Sequence, residues 1–202
     1  WLLRNTRPAL QRVEASYLTA GISWKSDYVM LINAADSRAD LTGWVTINNQ
    51  SGATYQNAAL KLVAGDINRA ASRDDSRRAM EMAAKAASPA VADREFKSEG
   101  FFEYHLYTLD GRTTIKESQT KQLTLLSAAD FPVDKQFIYS GAASYHRTQY
   151  GVPISNQKVG VYLDIRNTKE NRLGVPLPKG KVRVYKADAS GSQQLIGEDW
   201  ID

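Results

Sequence analysis

Leu41-Thr42-Gly43-Trp44-Val45-Thr46-Ile47-Asn48-Asn49-Gln50-Ser51-Gly52 sets the reading of the whole chain. Leu41, Val45 and Ile47 alternate with Thr42, Trp44, Thr46 and Asn48. A period of two puts each set on its own face of an extended strand, so this stretch is a half-buried strand. Asn49 to Gly52 then supplies turn chemistry, because Asn and Ser side chains bond nearby backbone and Gly accepts a positive φ. The polar run Asn48 to Gly52 is therefore read as a structural turn first, and as a ligand-binding loop second.

The same pattern recurs outward. Upstream, Val13, Ala15 and Tyr17 alternate with Glu14 and Ser16. Trp24 to Ile32 follows, and its run Tyr28-Val29-Met30-Leu31-Ile32 is apolar on both faces, which suits a central strand covered on two sides. Downstream, residues 60–63, 101–107, 113–115, 121–127 and 135–139 read as strands, with Asp110-Gly111 as a hairpin signal. Gly141 to Gln157 is irregular. Beyond it, Val159, Val161, Leu163 and Ile165 alternate with Gly160, Tyr162, Asp164 and Arg166, and Val182 and Val184 alternate with Lys181, Arg183 and Tyr185. Asp188-Ala189-Ser190-Gly191 is a turn before a last strand at Gln194-Leu195-Ile196. About ten short strands with turns between them predict an all-β, antiparallel β-sandwich fold.

One segment breaks the period. Residues 68–95 hold nine alanines and two methionines, with Ser72 or Asp74 placed to cap a helix and Pro89 to end it. Met80, Ala83, Ala84 and Ala87 make only a narrow apolar stripe, and over residues 66–99 seven acids balance seven bases. The expectation is an Ala-rich helical insertion at about 68–95, marginal unless it docks. The chain is expected to divide into a β-sandwich at 1–140, carrying that insertion, and a smaller, truncated Ig-like β unit at 141–202.

Composition excludes several chemistries. The 202 residues are 43% hydrophobic and 24% charged, enough for a globular core in one or two domains. No run approaches the ~20 apolar residues that cross a bilayer. The start at Trp1-Leu2-Leu3-Arg4 is too short for a signal-peptide core and has no initiator Met, so the chain reads as a fragment whose targeting signal would lie outside it. Cysteine is absent, which removes disulfides, thiolate catalysis and Cys-based zinc sites. Two histidines, His105 and His146, argue against a His-rich metal site. No phosphate-binding or dinucleotide Gly fingerprint appears, and no Gly-x-Ser-x-Gly elbow. The sequence therefore points to no cofactor, no metal and no catalytic residue.

Several segments match a known family in the right order: Tyr17 to Tyr28, Leu41 to Gly52, Leu60 to Asp66, Phe102-Glu103-Tyr104, Thr120-Lys121-Gln122 and Leu177 to Tyr185. Together they resemble the C-terminal domain of unknown function of mucoidy-inhibitor-A-like proteins. That resemblance implies an all-β architecture, a bacterial source and an exported parent with an extracytoplasmic, periplasmic location. It implies no catalytic residues.

The candidate binding residues are Lys181, Arg183 and Tyr185, on one face of a predicted strand. They sit in the most basic part of the chain: residues 147–186 hold nine Lys or Arg against Asp164 and Glu170. Basic groups with aromatics, here including Tyr150 and Tyr162, suit an anionic polymer, although Lys on a strand also deters edge-to-edge pairing. Glu198, Asp199 and Asp202 could serve calcium or glycoside chemistry, but Glu198 and Asp199 would face opposite ways on a strand. His105, in phase with Glu103 and Tyr107, could form an acid–base pair or a structural hydrogen bond. Gly65-Asp66 reads as a strand end and helix cap. Trp24, Trp44 and Trp200 read as packing residues before sugar platforms. Three functions stay open: a non-enzymatic interaction or structural module with a protein partner, a module for an anionic polysaccharide of the envelope, and a glycoside hydrolase.

Overall fold

The computed structural model describes residue 4 and residues 14–65, 96–101, 104–139 and 158–202. Within them the fold is all-β, in several sheets. The five-stranded sheet has the order β12-β11-β1-β2-β8. Its strands are β1 (Ile22–Ile32), β2 (Arg38–Asn49), β8 (Gln119–Pro132), β11 (Gly180–Ala187) and β12 (Gln193–Ile201). Neighbours are antiparallel except β1 and β11, which run parallel. A second sheet has the order β4-β6-β5, from Lys61–Ala64, Tyr104–Leu109 and Phe96–Phe101. Two ribbons complete the set: β3 (Tyr55–Ala58) with β7 (Thr113–Ile115), and β9 (Asp134–Ile138) with β10 (Gly160–Asp164).

The alternation in β2 does what its period requires. Ala39, Leu41, Val45 and Ile47 are buried, and Thr42, Trp44 and Thr46 face the other way. Tyr28, Met30 and Ile32 of β1 and Leu123, Leu125, Ala128 and Phe131 of β8 join them in one core. Leu62, Tyr107, Leu109 and Ile115 enter that core from the smaller sheets. The Tyr28 ring lies across Gly43, its antiparallel partner; a Cβ there would sit 2.8 Å from the ring.

Strand pairing runs across the boundary expected near residue 140, because β11 and β12 complete the sheet that β1 and β2 begin. The segment before β11 is clamped from two sheets. The Tyr28 hydroxyl donates to Pro178 O at 2.7 Å, the Tyr107 hydroxyl to Pro176 O at 2.9 Å, and Ser26 Oγ to Lys179 O at 2.6 Å. Burial raises both phenols above the ordinary tyrosine range, Tyr107 to about 12, so both remain donors.

Three expectations change. β1 is central, but only one of its faces meets the core: Leu31 is 37% exposed on the other. Apolar character on both faces came from Val29, which is half-buried, and from Leu31. Glu14 to Tyr17 form no strand. Asp110-Gly111 does turn the chain, with Gly111 at φ 82°, but it is a corner between sheets, since β6 pairs with β4 and β5 while β7 pairs with β3. The helical insertion expected at 68–95 lies outside the described residues, as do Asp66, Glu103, His146 and Tyr150.

Candidate functional site

The outer face of the five-stranded sheet gathers the residues the sequence singled out. Val182 and Val184 pack inward, so Lys181, Arg183 and Tyr185 point outward. Register then brings them beside residues far away in sequence: Lys181 pairs with Asp27 on one side and Trp200 on the other, and Asp27 pairs with Trp44. A row across four strands results, Trp200–Lys181–Asp27–Trp44. Its ends are about 14 Å apart at ~4.8 Å per strand.

The charges in this row are matched. Lys181 Nζ lies 3.1 Å from Glu198 and 5.3 Å from the centre of the Trp200 ring. Arg183 reaches Glu198 at 3.6 Å and Asp27 at 3.8 Å, and Lys25 meets Asp27 at 3.1 Å. Three cations thus share two carboxylates. Each pair is partly exposed and worth at most about 1 kcal/mol, but together the two carboxylates offset two of these three positive charges.

The remaining candidates separate. Glu198 lies on the outer face within this network, whereas Asp199 pairs with inward Val182 and accepts a hydrogen bond from Trp200 N at 2.8 Å. They do not converge as a carboxylate pair. Trp24 packs against the core, Trp44 is half-buried on the outer face and Trp200 is 64% exposed, so Trp200 is no core residue. His105 is exposed on β6, and Tyr107, two residues on, is committed to Pro176. Tyr162 lies on β10, in a different sheet from β11.

The polar run after β2 is structural at Asn49. This side chain is fully buried; its Nδ2 donates to Ala53 O at 2.8 Å and Lys116 O at 3.0 Å, with Ile115 O at 3.5 Å. Its Oδ1 accepts from Ser51 N at 3.1 Å and Ser51 Oγ at 2.8 Å. Gly52, at φ 84°, donates to Glu117 at 2.8 Å.

Two other groupings escape sequence reading because chain-distant residues build them. Asp36, at the β1–β2 turn, binds Lys135 of β9 at 2.8 Å and Lys186 of β11, and these two ammonium groups hold its carboxyl below the usual range. A cleft of about 530 Å³ lies between Pro132–Asp134 and Asp164–Asn171, with Asp134, Asp164, Arg166 and Glu170 at its wall. Among the described residues no three His, Cys, Asp or Glu side chains stand together to hold a metal ion, and no helix is long and apolar enough to cross a membrane. Comparison of the chain with family models, with curated proteins and with solved structures finds no match.

Proposed function

We propose that this chain is a non-enzymatic β-sandwich interaction module that binds a protein partner through the outer face of its five-stranded sheet. The observation that carries the reading is the row Trp200–Lys181–Asp27–Trp44, with Arg183 and Tyr185 beside it. Aromatic side chains and Arg are the residues that anchor protein interfaces, while unpaired charge is kept from their centres. Here two tryptophans flank charges that already have partners, so covering this face strands no ion. The resemblance to mucoidy-inhibitor-A-like domains supports placing the module in an exported bacterial protein.

The same three residues, Lys181, Arg183 and Tyr185, serve the second reading, an anionic polysaccharide of the envelope. It is weaker because Glu198 and Asp27 occupy the cations such a polymer needs. A photo-cross-linking residue at position 200, in the cells that make the protein, tests the choice. A discrete protein adduct at position 200, with none at exposed Ser190, supports the module; no adduct at either position removes it. Salt-sensitive retention on heparin or alginate resin that Lys181→Glu with Arg183→Glu abolishes would put the polymer in its place.

A further inference from the structure

Six of the fourteen exposed large apolar side chains among the described residues gather at the β9–β10 ribbon. Phe137, Ile138, Tyr139, Val159, Val161 and Tyr162 all lie on or beside it, and Phe137 is 67% exposed. A two-stranded ribbon is marginal in water by itself, and an uncovered apolar patch marks a contact surface. The second edge of β10 pairs with no described strand.

We infer that this edge pairs with the same edge of a second copy of the chain. The segment Lys158-Val159-Gly160-Val161-Tyr162-Leu163-Asp164 is complementary to itself when run antiparallel about Val161. Val161 then meets Val161, Val159 meets Leu163, Gly160 meets Tyr162, and Lys158 meets Asp164. Apolar residues face apolar residues, an opposite-charge pair closes each end, and Gly160, already covered by the ring of its own Tyr162, sets no side chain of its own against the opposing tyrosine. Centring one residue later, on Tyr162, would set Lys158 against Arg166 and Asp164 against Gly160. Centring one residue earlier, on Gly160, would set Lys158 against Tyr162. Of these three registers, only the one centred on Val161 pairs both the apolar residues and the opposite charges.

Charge on the existing ribbon favours the same partner. Asp164 stands directly opposite Asp134 in the β9–β10 register, a destabilising like-charge pair. Gln136 donates to Asp134 at 3.0 Å. Lys158 of a second copy would bring a cation to Asp164. The contact is isologous, so one two-fold operation closes it, and it yields a four-stranded sheet, β9-β10-β10-β9, in place of two exposed ribbons. Val161 and Phe137 are cross-strand partners, so both copies contribute them to one shared face.

The chain has no cysteine, which makes the test direct. At the two-fold, facing Cα atoms would be ~4.5–5.5 Å apart, within disulfide reach. Val161→Cys should give a disulfide-linked dimer under mild oxidation, and Ser190→Cys should not. Sedimentation of the unsubstituted chain should show a concentration-dependent dimer. Asp164→Lys should weaken it roughly tenfold, by turning two attractions into repulsions, and Lys158→Asp added to Asp164→Lys should restore it. Lys181→Glu with Arg183→Glu should leave it unchanged, which separates this contact from the outer-face site. A monomer at every concentration reached, or a dimer indifferent to Asp164→Lys, overturns the inference.

Discussion

Replacing Asn49 by Asp keeps the shape of the side chain and reverses the chemistry of one edge. Asn49 Nδ2 donates to Ala53 O and Lys116 O from a fully buried position, joining the end of β2 to the loop before β3 and to the end of β7. Aspartate presents an oxygen where that donor stood. The two carbonyls lose their donor and face an acceptor, about 1 kcal/mol for each bond, and the fully buried side chain then presents a carboxylate with an unmet edge, which costs about 1 kcal/mol or more. The loss is then about 3 kcal/mol. For a chain this size 1 kcal/mol moves Tm by ~2–4 °C, so Tm should fall by roughly 6–12 °C.

The same variant has a pH signature. Burial against carbonyl oxygens raises the new carboxyl's folded pKa above its unfolded value of about 3.9. Below that value both states are protonated and the charge penalty is absent; it grows as pH rises until the folded pKa is passed. The gap between Asn49→Asp and the parent should therefore narrow on acidification. Thermal melts followed by circular dichroism at pH 7 and near pH 4 measure this. Asn48→Asp, on the outer face one residue away, is the control and should shift stability by less than about 0.5 kcal/mol. If Asn49→Asp matches the parent at pH 7, or its deficit is flat with pH, the buried-network account is wrong.

Tyr28→Phe removes the donor to Pro178 O while Ser26 Oγ stays 3.3 Å from that oxygen, so urea unfolding should show a loss of about 1 kcal/mol. Gly180→Ala places a methyl 2.5 Å from Ser26 O, which must push β11 off β1 and should cost about 2 kcal/mol or more. Gly197→Ala, with open space around it, should be close to neutral by the same measurement. Asp36 is held ionised by Lys135 and Lys186, so its folded pKa is depressed. Its contribution is present above the unfolded value of about 3.9 and is lost as pH falls through the folded one. Asp36→Asn tolerates the same left-handed backbone and should flatten the stability–pH curve in that acid window.

How far the site was legible depends on which residues had to meet. Lys181, Arg183 and Tyr185 are two apart, so alternation alone placed them on one side of a strand. Their partners could not be read this way. Asp27 lies far from Arg183 in sequence, and only the parallel register of β1 and β11 brings their side chains together. The two basic residues that the segment sets in this network, Lys181 and Arg183, thus share Glu198 and Asp27 with Lys25. Trp200 looked like a packing residue by composition, yet it lies on an edge strand and is exposed.

The sequence by itself determined the strand period, the inward set of β2, the turn at Asp188–Gly191 and the lack of thiol chemistry. These are local properties, set by side-chain alternation and by the backbone preferences of Asn, Asp, Ser and Gly. Asp188 shows it: its carboxylate accepts from Ser190 N and Oγ, Ser192 N and Gln194, and these bonds hold it down near pKa 2. Tertiary structure alone decided which strands are neighbours, that β11 joins β1, that β6 and β7 part at Gly111, and that Asn49 is buried. Those outcomes depend on contacts between chain-distant residues, and a pattern of period two specifies which way a residue faces without naming what it faces.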